Sequence, residues 1–480
     1  MNEPAEVFDV VVIGSGPAGQ KAAVQAAKSG RRVCVIERDQ GVGGACVHRG
    51  TIPSKTLRES AMHLAAFRRR FGGIVKVDLP PDLQLASLMS RMEQVVSAHV
   101  AYQGAQMRRN GIEQIHGRAR FVDDHHVAVE SVYGKRRLLR GETIAIATGS
   151  RPRTPPEIPV DHEHVLDSDS VLSMAYLPKS LVVLGAGVIA CEYATIFAAL
   201  GVAVTVIDRG ARPLAFLDPE ITARFVELFE ANPGCTFVGS AKVRSVAWNG
   251  ADAVVTTLDN GWEVRSDKLL CTLGRVANVE GLDIAAAGLS TNERGHIPVD
   301  ADCRTKVPHI VAIGDVIGPP SLASASMEQG RRAMRRVLGL PLGEGSDVIP
   351  AGIYTLPEIA SVGLSEAEAK ERHGSCVVGR AHFRELARGQ IADSADGMLK
   401  LVAEPGSLRV LGCQILGEGA TELVHLAQMA IANGCDVGMF VEKIFNFPTL
   451  AEAYRVAALD ALEQVGQAAP ASAGSAAPGS

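Results

Sequence analysis

Aromatic residues make up only 4% of the 480 residues, two of them tryptophan, so few flat rings are available for bases to stack on. The formal net charge of -5 withholds the attraction that a nucleic acid or an anionic membrane surface requires. Neither partner is expected. No apolar run reaches the roughly 18 residues of a membrane helix. The opening MNEPAEVFDVVVIGSG has no basic stretch ahead of its first apolar run, and that run ends in a glycine loop, not a cleavage site. The nine cysteines include no CxxC pair, so no zinc site and no disulfide framework is expected. Free thiols in a reducing cytoplasm are the expectation, and no metal ligand set is assigned.

What is present is an ordinary globular composition, 47% hydrophobic and 21% charged, long enough for several domains. Asp9-Val10-Val11-Val12-Ile13 reads as a strand buried on both faces. Gly14-Ser15-Gly16-Pro17-Ala18-Gly19 follows, then an Ala-rich helix from Gln20 to Lys28 and a second strand, Val33 to Ile36, ending at Glu37. Gly14 permits the tight turn, Gly16 admits a pyrophosphate against the backbone, and Gly19 lets helix pack on strand. Glu37 stands at about the 20-residue offset of an acid that holds a ribose hydroxyl.

The unit recurs. Leu181 to Leu184 leads into Gly185-Ala186-Gly187-Val188-Ile189-Ala190, and Val204 to Ile207 ends at Asp208 with the same offset. Two such units imply two dinucleotides. Between them, Ala86 to Arg109 reads as a long amphipathic helix and Arg118 to Glu130 as a small β region. There Asp123-Asp124-His125-His126 is most simply a polar turn and only remotely a metal site. Ala145-Ile146-Ala147-Thr148-Gly149-Ser150 reads as a strand ending in a domain-crossing turn, and Ile310 to Ile313 as a buried strand ending in Gly314-Asp315. From about Val348 the pattern changes. Gly352 to Gly363, Leu399 to Val402 and Val410 to Ile415 read as strands of a separate sheet, with helices at Ser365 to Arg372, Thr421 to Asn433 and Leu450 to Val465.

Between the first unit and the long helix lies Gly43-Gly44-Ala45-Cys46-Val47-His48-Arg49-Gly50-Thr51-Ile52-Pro53-Ser54-Lys55. With the two fingerprints and the closing Phe447-Pro448-Thr449-Leu450-Ala451-Glu452, it resembles the pyridine nucleotide-disulfide oxidoreductase superfamily over about residues 7–466. Disulfide reductases of that superfamily carry two cysteines in the segment and a histidine before the late proline. Here Thr51 stands at the second cysteine and Phe447 at the histidine, so a thiol relay and its proton partner are both missing. Three segments, Gly50 to Arg58, Leu184 to Ile189 and Phe447 to Arg455, are most similar to the transhydrogenase members.

The resemblance implies an α/β fold: two Rossmann-like dinucleotide-binding domains, for FAD and NAD(P), and a C-terminal α+β dimerisation domain. The expected divisions are 1–150 (FAD), 151–275 (NAD(P)), 276–345 (FAD and central), 346–466 (dimerisation) and 467–480 (a disordered tail). It implies non-covalent FAD, with NAD and NADP as substrates, and a homodimer or higher oligomer. Asp315, with Gly314, is implied at the FAD ribityl and pyrophosphate, and Gly44, Thr51, Thr148, Gly149 and Gly274 at the cofactors. Lys55 is implied beside the flavin N5 edge, paired with Glu192, while Cys46 either packs by the isoalloxazine or takes part in catalysis. His48 is read as a local donor.

Asp208 favours NAD by accepting from the 2'-hydroxyl. Arg209 and Arg212 are read either as contacts to a 2'-phosphate or as solvated loop charge. The expected activity is hydride exchange between NADPH and NAD+, in either direction, through the flavin. A quinone or diaphorase-type reductase and a non-catalytic flavoprotein scaffold stand as alternatives.

Overall fold

The computed structural model describes residues 4–71, 81–343 and 348–468, and the chain forms two compact units. The first comprises Met1–Gly185 and Lys242–Gly345, the second Ala186–Ala241 and Ser346–Ser480. No helix among the described residues is long and apolar enough to cross a membrane.

The first unit is built on a seven-stranded sheet. Strand Glu6–Ile13 lies between Val33–Glu37 and Arg136–Ile146, parallel to both, and Ile310–Ala312 adds in parallel to Arg136–Ile146. Val10, Val11 and Val12 are each no more than 1% exposed, because the sheet is covered on both faces. The register decides where function can sit. Ile13 pairs with Ile36 and Ile146, and Ala312 with Ile146. The carboxyl ends of four parallel strands therefore finish in line, and the residues that follow them gather at one edge, where ligands of open α/β sheets bind. Strands His126–Glu130 and Arg118–Phe121 extend the sheet in antiparallel fashion, with residues 122–125 as their turn.

The same unit holds the parallel strands Val165–Asp167, Lys268–Cys271 and Ser180–Leu184, and an antiparallel meander over residues 243–266.

In the second unit, helix Val188–Ala199, the parallel strands Ala203–Ile207 and Thr236–Val238, and helix Pro219–Glu230 continue the second nucleotide-binding pattern. A five-stranded antiparallel sheet follows, in the order Ala351–Ile353, Ile359–Gly363, Val410–Leu416, Met398–Ala403, Val377–His382. Helices Ala420–Ala432 and Glu452–Ala468 pack on it around the fully buried Phe383, Phe440 and Tyr454. The last helix runs into the stretch expected to be a disordered tail; the remainder of that tail lies outside the described residues.

Two elements of this sheet differ from expectation. The single strand read over Gly352 to Gly363 is two strands. The N–H groups of Tyr354 and Leu356 between them donate to Glu192 Oε1 (2.9 Å) and Thr195 Oγ1 (3.1 Å), and Pro357 has no N–H to offer a ladder. Strand Val377–His382 has no counterpart in the sequence reading. Its Gly379, which weakens a strand signal, is needed here: a Cβ at that position would lie 1.8 Å from the Ala457 carbonyl oxygen of the last helix.

A buried ion cluster ties helix Pro219–Glu230 to the sheet. Lys400 is 2% exposed, with Nζ 2.9 Å from both Asp218 Oδ2 and Glu220 Oε2 and 2.7 Å from Glu366 Oε2. Hydrogen bonds from Lys370 and Lys400 hold the Glu366 carboxyl down at about 2. Removing one partner of such a group strands a buried charge at a cost of about 3–5 kcal/mol.

Candidate functional site

The first fingerprint closes as its glycines require. Gly14 has φ +103°, and a Cβ there would stand 2.4 Å from the Ala147 carbonyl oxygen; one on Gly19 would stand 2.0 Å from that of Gly14. At Gly16 a Cβ would meet nothing within 4 Å, so the backbone is open where a pyrophosphate has to approach. Helix Pro17–Lys28 points its N-terminus at the same place.

Glu37 sits beneath this loop. Its Oε2 accepts from Ser15 N (3.0 Å) and Ser15 Oγ (2.5 Å), its Oε1 from Asp39 N (2.9 Å), and Ser15 Oγ accepts in turn from Gly43 N (2.9 Å). A carboxylate has about four lone-pair positions, so capacity for a ribose hydroxyl remains. Ser15 thus links the fingerprint to the Gly43 to Lys55 segment, a role sequence reasoning missed. The available signal was a polar residue in an apolar turn, fully buried in the fold. Gln20 was missed as well: its Nε2 donates to Ser15 O (2.7 Å) and Gln103 Oε1 (2.8 Å).

Gly43 and Gly44 both have positive φ, and a Cβ on Gly44 would lie 2.9 Å from Gly16 Cα, so the second loop is seated directly on the first. Short helix Gly44–His48 then presents Cys46, and helix Thr51–Phe71 begins at the position of the absent cysteine. Burial pushes the Cys46 thiol up from its ordinary value, opposed by the Thr51 hydroxyl and the Lys55 charge and aided by Asp315. Cys46 is accordingly a neutral thiol at pH 7. Lys55 Nζ lies 3.3 Å from Ser54 Oγ. His48 holds its own loop, with Nε2 3.1 Å from the carbonyl oxygens of Gly41 and Val42.

The ends of the other parallel strands complete the edge. Asp315 Oδ2 accepts from Ser150 Oγ (2.7 Å), which accepts from Arg275 Nε (2.8 Å). Gly314 N donates to Gln329 Oε1 (2.9 Å), and Asn278 Nδ2 to Thr148 O (3.0 Å). Gly149 and Gly274 take positive φ at the two chain crossings, where Asn278 N donates to Gly149 O and Arg153 N to Gly274 O. Thr148 Oγ1 is buried with no hydrogen-bond partner, a condition that costs about 1–3 kcal/mol unless a ligand supplies one. It lies beside the Gly14 turn. An open Gly16, an orphaned Thr148 hydroxyl and acids at Glu37 and Asp315 fit a dinucleotide laid along the strand ends.

In the second fingerprint the pattern repeats with one change. Gly185 has φ +99° and its Cβ would lie 2.9 Å from the Thr272 carbonyl oxygen, Gly187 is open, and fully buried Ala190 replaces the third glycine. Asp208 accepts from Ala186 N (3.0 Å) and Gly210 N (2.6 Å), the same relation that Glu37 has to Ser15. The two arginines differ. Arg209 is exposed, whereas the Arg212 guanidinium is spent on Leu217 O (2.8 Å), Thr222 Oγ1 (3.1 Å) and Ala215 O (2.6 Å), closing its own loop. Glu192 is buried on helix Val188–Ala199 and takes the Tyr354 N–H.

Comparison with known proteins gives the family. The sequence profile of the pyridine nucleotide-disulphide oxidoreductases matches residues 8–330, and that of their dimerisation domain residues 349–458. Soluble pyridine nucleotide transhydrogenases of Mycobacterium bovis and Hahella chejuensis are 42% and 41% identical, over 95% of this chain and 98% and 99% of theirs. Among solved structures, LpdA of Mycobacterium tuberculosis superimposes with a TM-score of 0.86 at 28% identity, covering 95% of this chain and 99% of its own. The HOCl-induced flavoprotein disulfide reductase RclA of Escherichia coli gives 0.84 at 26% identity, covering 94% and 99%. The chain belongs to the pyridine nucleotide-disulphide oxidoreductases, oxidoreductases that work with a flavin and nicotinamide nucleotides.

Proposed function

We propose that this oxidoreductase is an FAD-dependent transhydrogenase that moves hydride between NADPH and NAD+ without a redox-active disulfide. The observation that carries the reading is Thr51 at the head of its helix, just after the short helix that holds Cys46: where a thiol relay needs a second sulfur, this chain has a hydroxyl, and burial pushes the remaining thiol up. The transhydrogenase names of relatives above 40% identity point the same way. The net reaction balances with nicotinamides alone: NADPH and NAD+ give NADP+ and NADH.

Non-covalently bound FAD supplies reversible two-electron hydride chemistry. Gly14 to Gly19 and the following helix N-terminus bind its pyrophosphate through backbone N–H groups, Glu37 holds the adenosine ribose, and the Thr148 hydroxyl and Asp315 take polar atoms of the bridge. Lys55, Glu192 and Cys46 are the proposed residues of the reacting centre. Lys55 contributes positive charge where electron density accumulates, and Cys46 and Thr51 present uncharged groups to the ring. Glu192 orients the Tyr354 segment. Gly187 admits the nicotinamide pyrophosphate, and Asp208 selects the ribose edge. Four divisions, 1–150, 151–275, 276–345 and 346–466, serve FAD, nicotinamide, FAD and dimerisation, in a cytoplasmic homodimer.

Anaerobic stopped flow tests the reading. NADPH bleaches the flavin, and NAD+ as sole acceptor restores its colour at a rate matching steady-state turnover. Bleaching that only a quinone reverses identifies a quinone reductase instead, and no bleaching by either nicotinamide identifies a scaffold.

A further inference from the structure

Residues 354–358 form the loop of the hairpin made by strands Ala351–Ile353 and Ile359–Gly363, and this loop is seated on helix Val188–Ala199 by two main-chain donors. Tyr354 N donates to Glu192 Oε1 (2.9 Å) and Leu356 N to Thr195 Oγ1 (3.1 Å). Glu192 and Thr195 stand three residues apart, so their side chains leave the same face of the helix. They are only 5% and 3% exposed. At its other end the loop is held by helix Ala420–Ala432, where Glu358 Oε2 accepts from Thr421 N (3.0 Å) and Thr421 Oγ1 (2.8 Å). The loop is thus suspended between the helix that follows the second fingerprint and a helix of the dimerisation domain.

The two acceptors on the nucleotide helix differ in kind. Glu192 is a carboxylate assigned above to the reacting centre, whereas Thr195 offers a hydroxyl that works in both directions. Its proton is directed at the Cys191 and Glu192 carbonyl oxygens (2.9 and 3.0 Å), which leaves lone pairs for Leu356 N. Valine has the same shape without the hydroxyl and would take this acceptor from the Leu356 N–H. Leu356 lies two residues from Tyr354 in the same loop, so a loop released at Leu356 can draw the Tyr354 N–H away from Glu192. The Glu192 carboxylate would then lose a main-chain dipole that fixes its position.

We propose that Thr195 is a positioning residue for hydride transfer, its hydroxyl holding loop 354–358 on the nucleotide-binding helix so that the Tyr354 N–H fixes the Glu192 carboxylate. The inference rests on the place proposed above for Glu192 in the reacting centre. Thr195 acts through the loop and itself transfers neither proton nor hydride.

A double-mutant cycle on the full-length holoenzyme tests it, with Thr195→Val, Glu192→Gln and the two combined. Two quantities are read: the anaerobic rate at which saturating NADPH bleaches the flavin, and hydrogen exchange at the Tyr354 and Leu356 amides. Thr195→Val is expected to slow bleaching about ten-fold, the scale set by a buried N–H that has lost its acceptor, and Thr195→Ser to keep most of the rate. Exchange should quicken at both amides in Thr195→Val. Added to Glu192→Gln, Thr195→Val is expected to cost nothing further, because residues that act as one unit are not additive. Should valine prevent folding, Thr195→Ala removes the same hydroxyl without adding bulk. A wild-type bleaching rate in Thr195→Val beside a slow Glu192→Gln overturns the inference and leaves the Glu192 reading standing, whereas a wild-type rate in Glu192→Gln overturns both. Losses that multiply in the combined variant, or exchange that quickens at Leu356 alone, make Thr195 a support of the fold only and also overturn the proposal.

Discussion

At the scale of single residues, the substitution at Thr51 is the most informative position in the chain. A lone thiol with a hydroxyl at the position of its partner sulfur stores no electron pair, so the flavin is the one redox centre expected. Anaerobic dithionite titration should take up one electron pair per flavin with no long-wavelength thiolate-to-flavin band. Thr51→Cys, which restores a second sulfur next to Cys46, should raise the uptake to two pairs if the loop geometry is that of a disulfide site. Uptake of two pairs by the wild type would sink the assignment. The arginines after Asp208 make a second residue-level prediction, sharper than the sequence allowed. Arg212 is occupied by its own loop, so Arg212→Ala should weaken NADH and NADPH alike. Exposed Arg209 is left as the proposed 2'-phosphate contact, and on that proposal Arg209→Ala should cost NADPH about 1.5–3 kcal/mol in kcat/KM and NADH little. The comparison is made at fixed ionic strength because salt screens this contact. Equal losses for both nucleotides in Arg209→Ala would place that side chain away from the phosphate.

At the scale of elements, what was legible depended on how local the cause is. Strand, glycine turn and helix are written in consecutive residues, so both fingerprints and their acids were readable, and the structure gives Glu37 and Asp208 the same contact to the second loop residue. Strand Val377–His382 was not readable because its Gly379 answers to a helix about 80 residues away. The break in Gly352 to Gly363 answers to Glu192 and Thr195, far upstream. Ser15, Gln20 and Thr148 matter through partners that only folding brings near. Gly330 is a further case of the same kind. It lies in helix Ala323–Val337, and a Cβ there would stand 2.2 Å from the Ala18 carbonyl oxygen of the fingerprint helix, against backbone that cannot yield. Gly330→Ala should push that helix away from Gly14 to Gly19 and loosen FAD while touching no atom of it. The expected outcome is a lower Tm together with faster flavin loss on gel filtration; a variant that keeps its flavin and its Tm would show that the two helices can part without cost.

At the scale of the molecule, the second unit combines a nucleotide-binding helix pair with the dimerisation domain, held together by the Lys400 cluster and an apolar seam. That seam brings Leu217, Ile221 and Phe225 against Ile353, Met398 and Leu416. The same unit carries the apolar side chains proposed here for the dimer interface. Ile444 is 97% exposed, Phe447 75% and Met429 54%, all within the dimerisation-domain match. Ile444 and Phe447, three residues apart in sequence, are the proposed association surface. Phe447 also stands where the disulfide reductases of the superfamily carry their histidine. A hydrophobe there gives up proton transfer and gains contact area, which would suit the proposed reaction, since it needs no thiol chemistry. The protein should therefore run as a dimer in light scattering at micromolar concentration. Ile444→Glu with Phe447→Glu should shift it to monomer, since two desolvated charges at an interface cost several kcal/mol. A wild type that is monomeric with flavin bound and full activity, or a double variant that remains dimeric, would remove this surface from the interface.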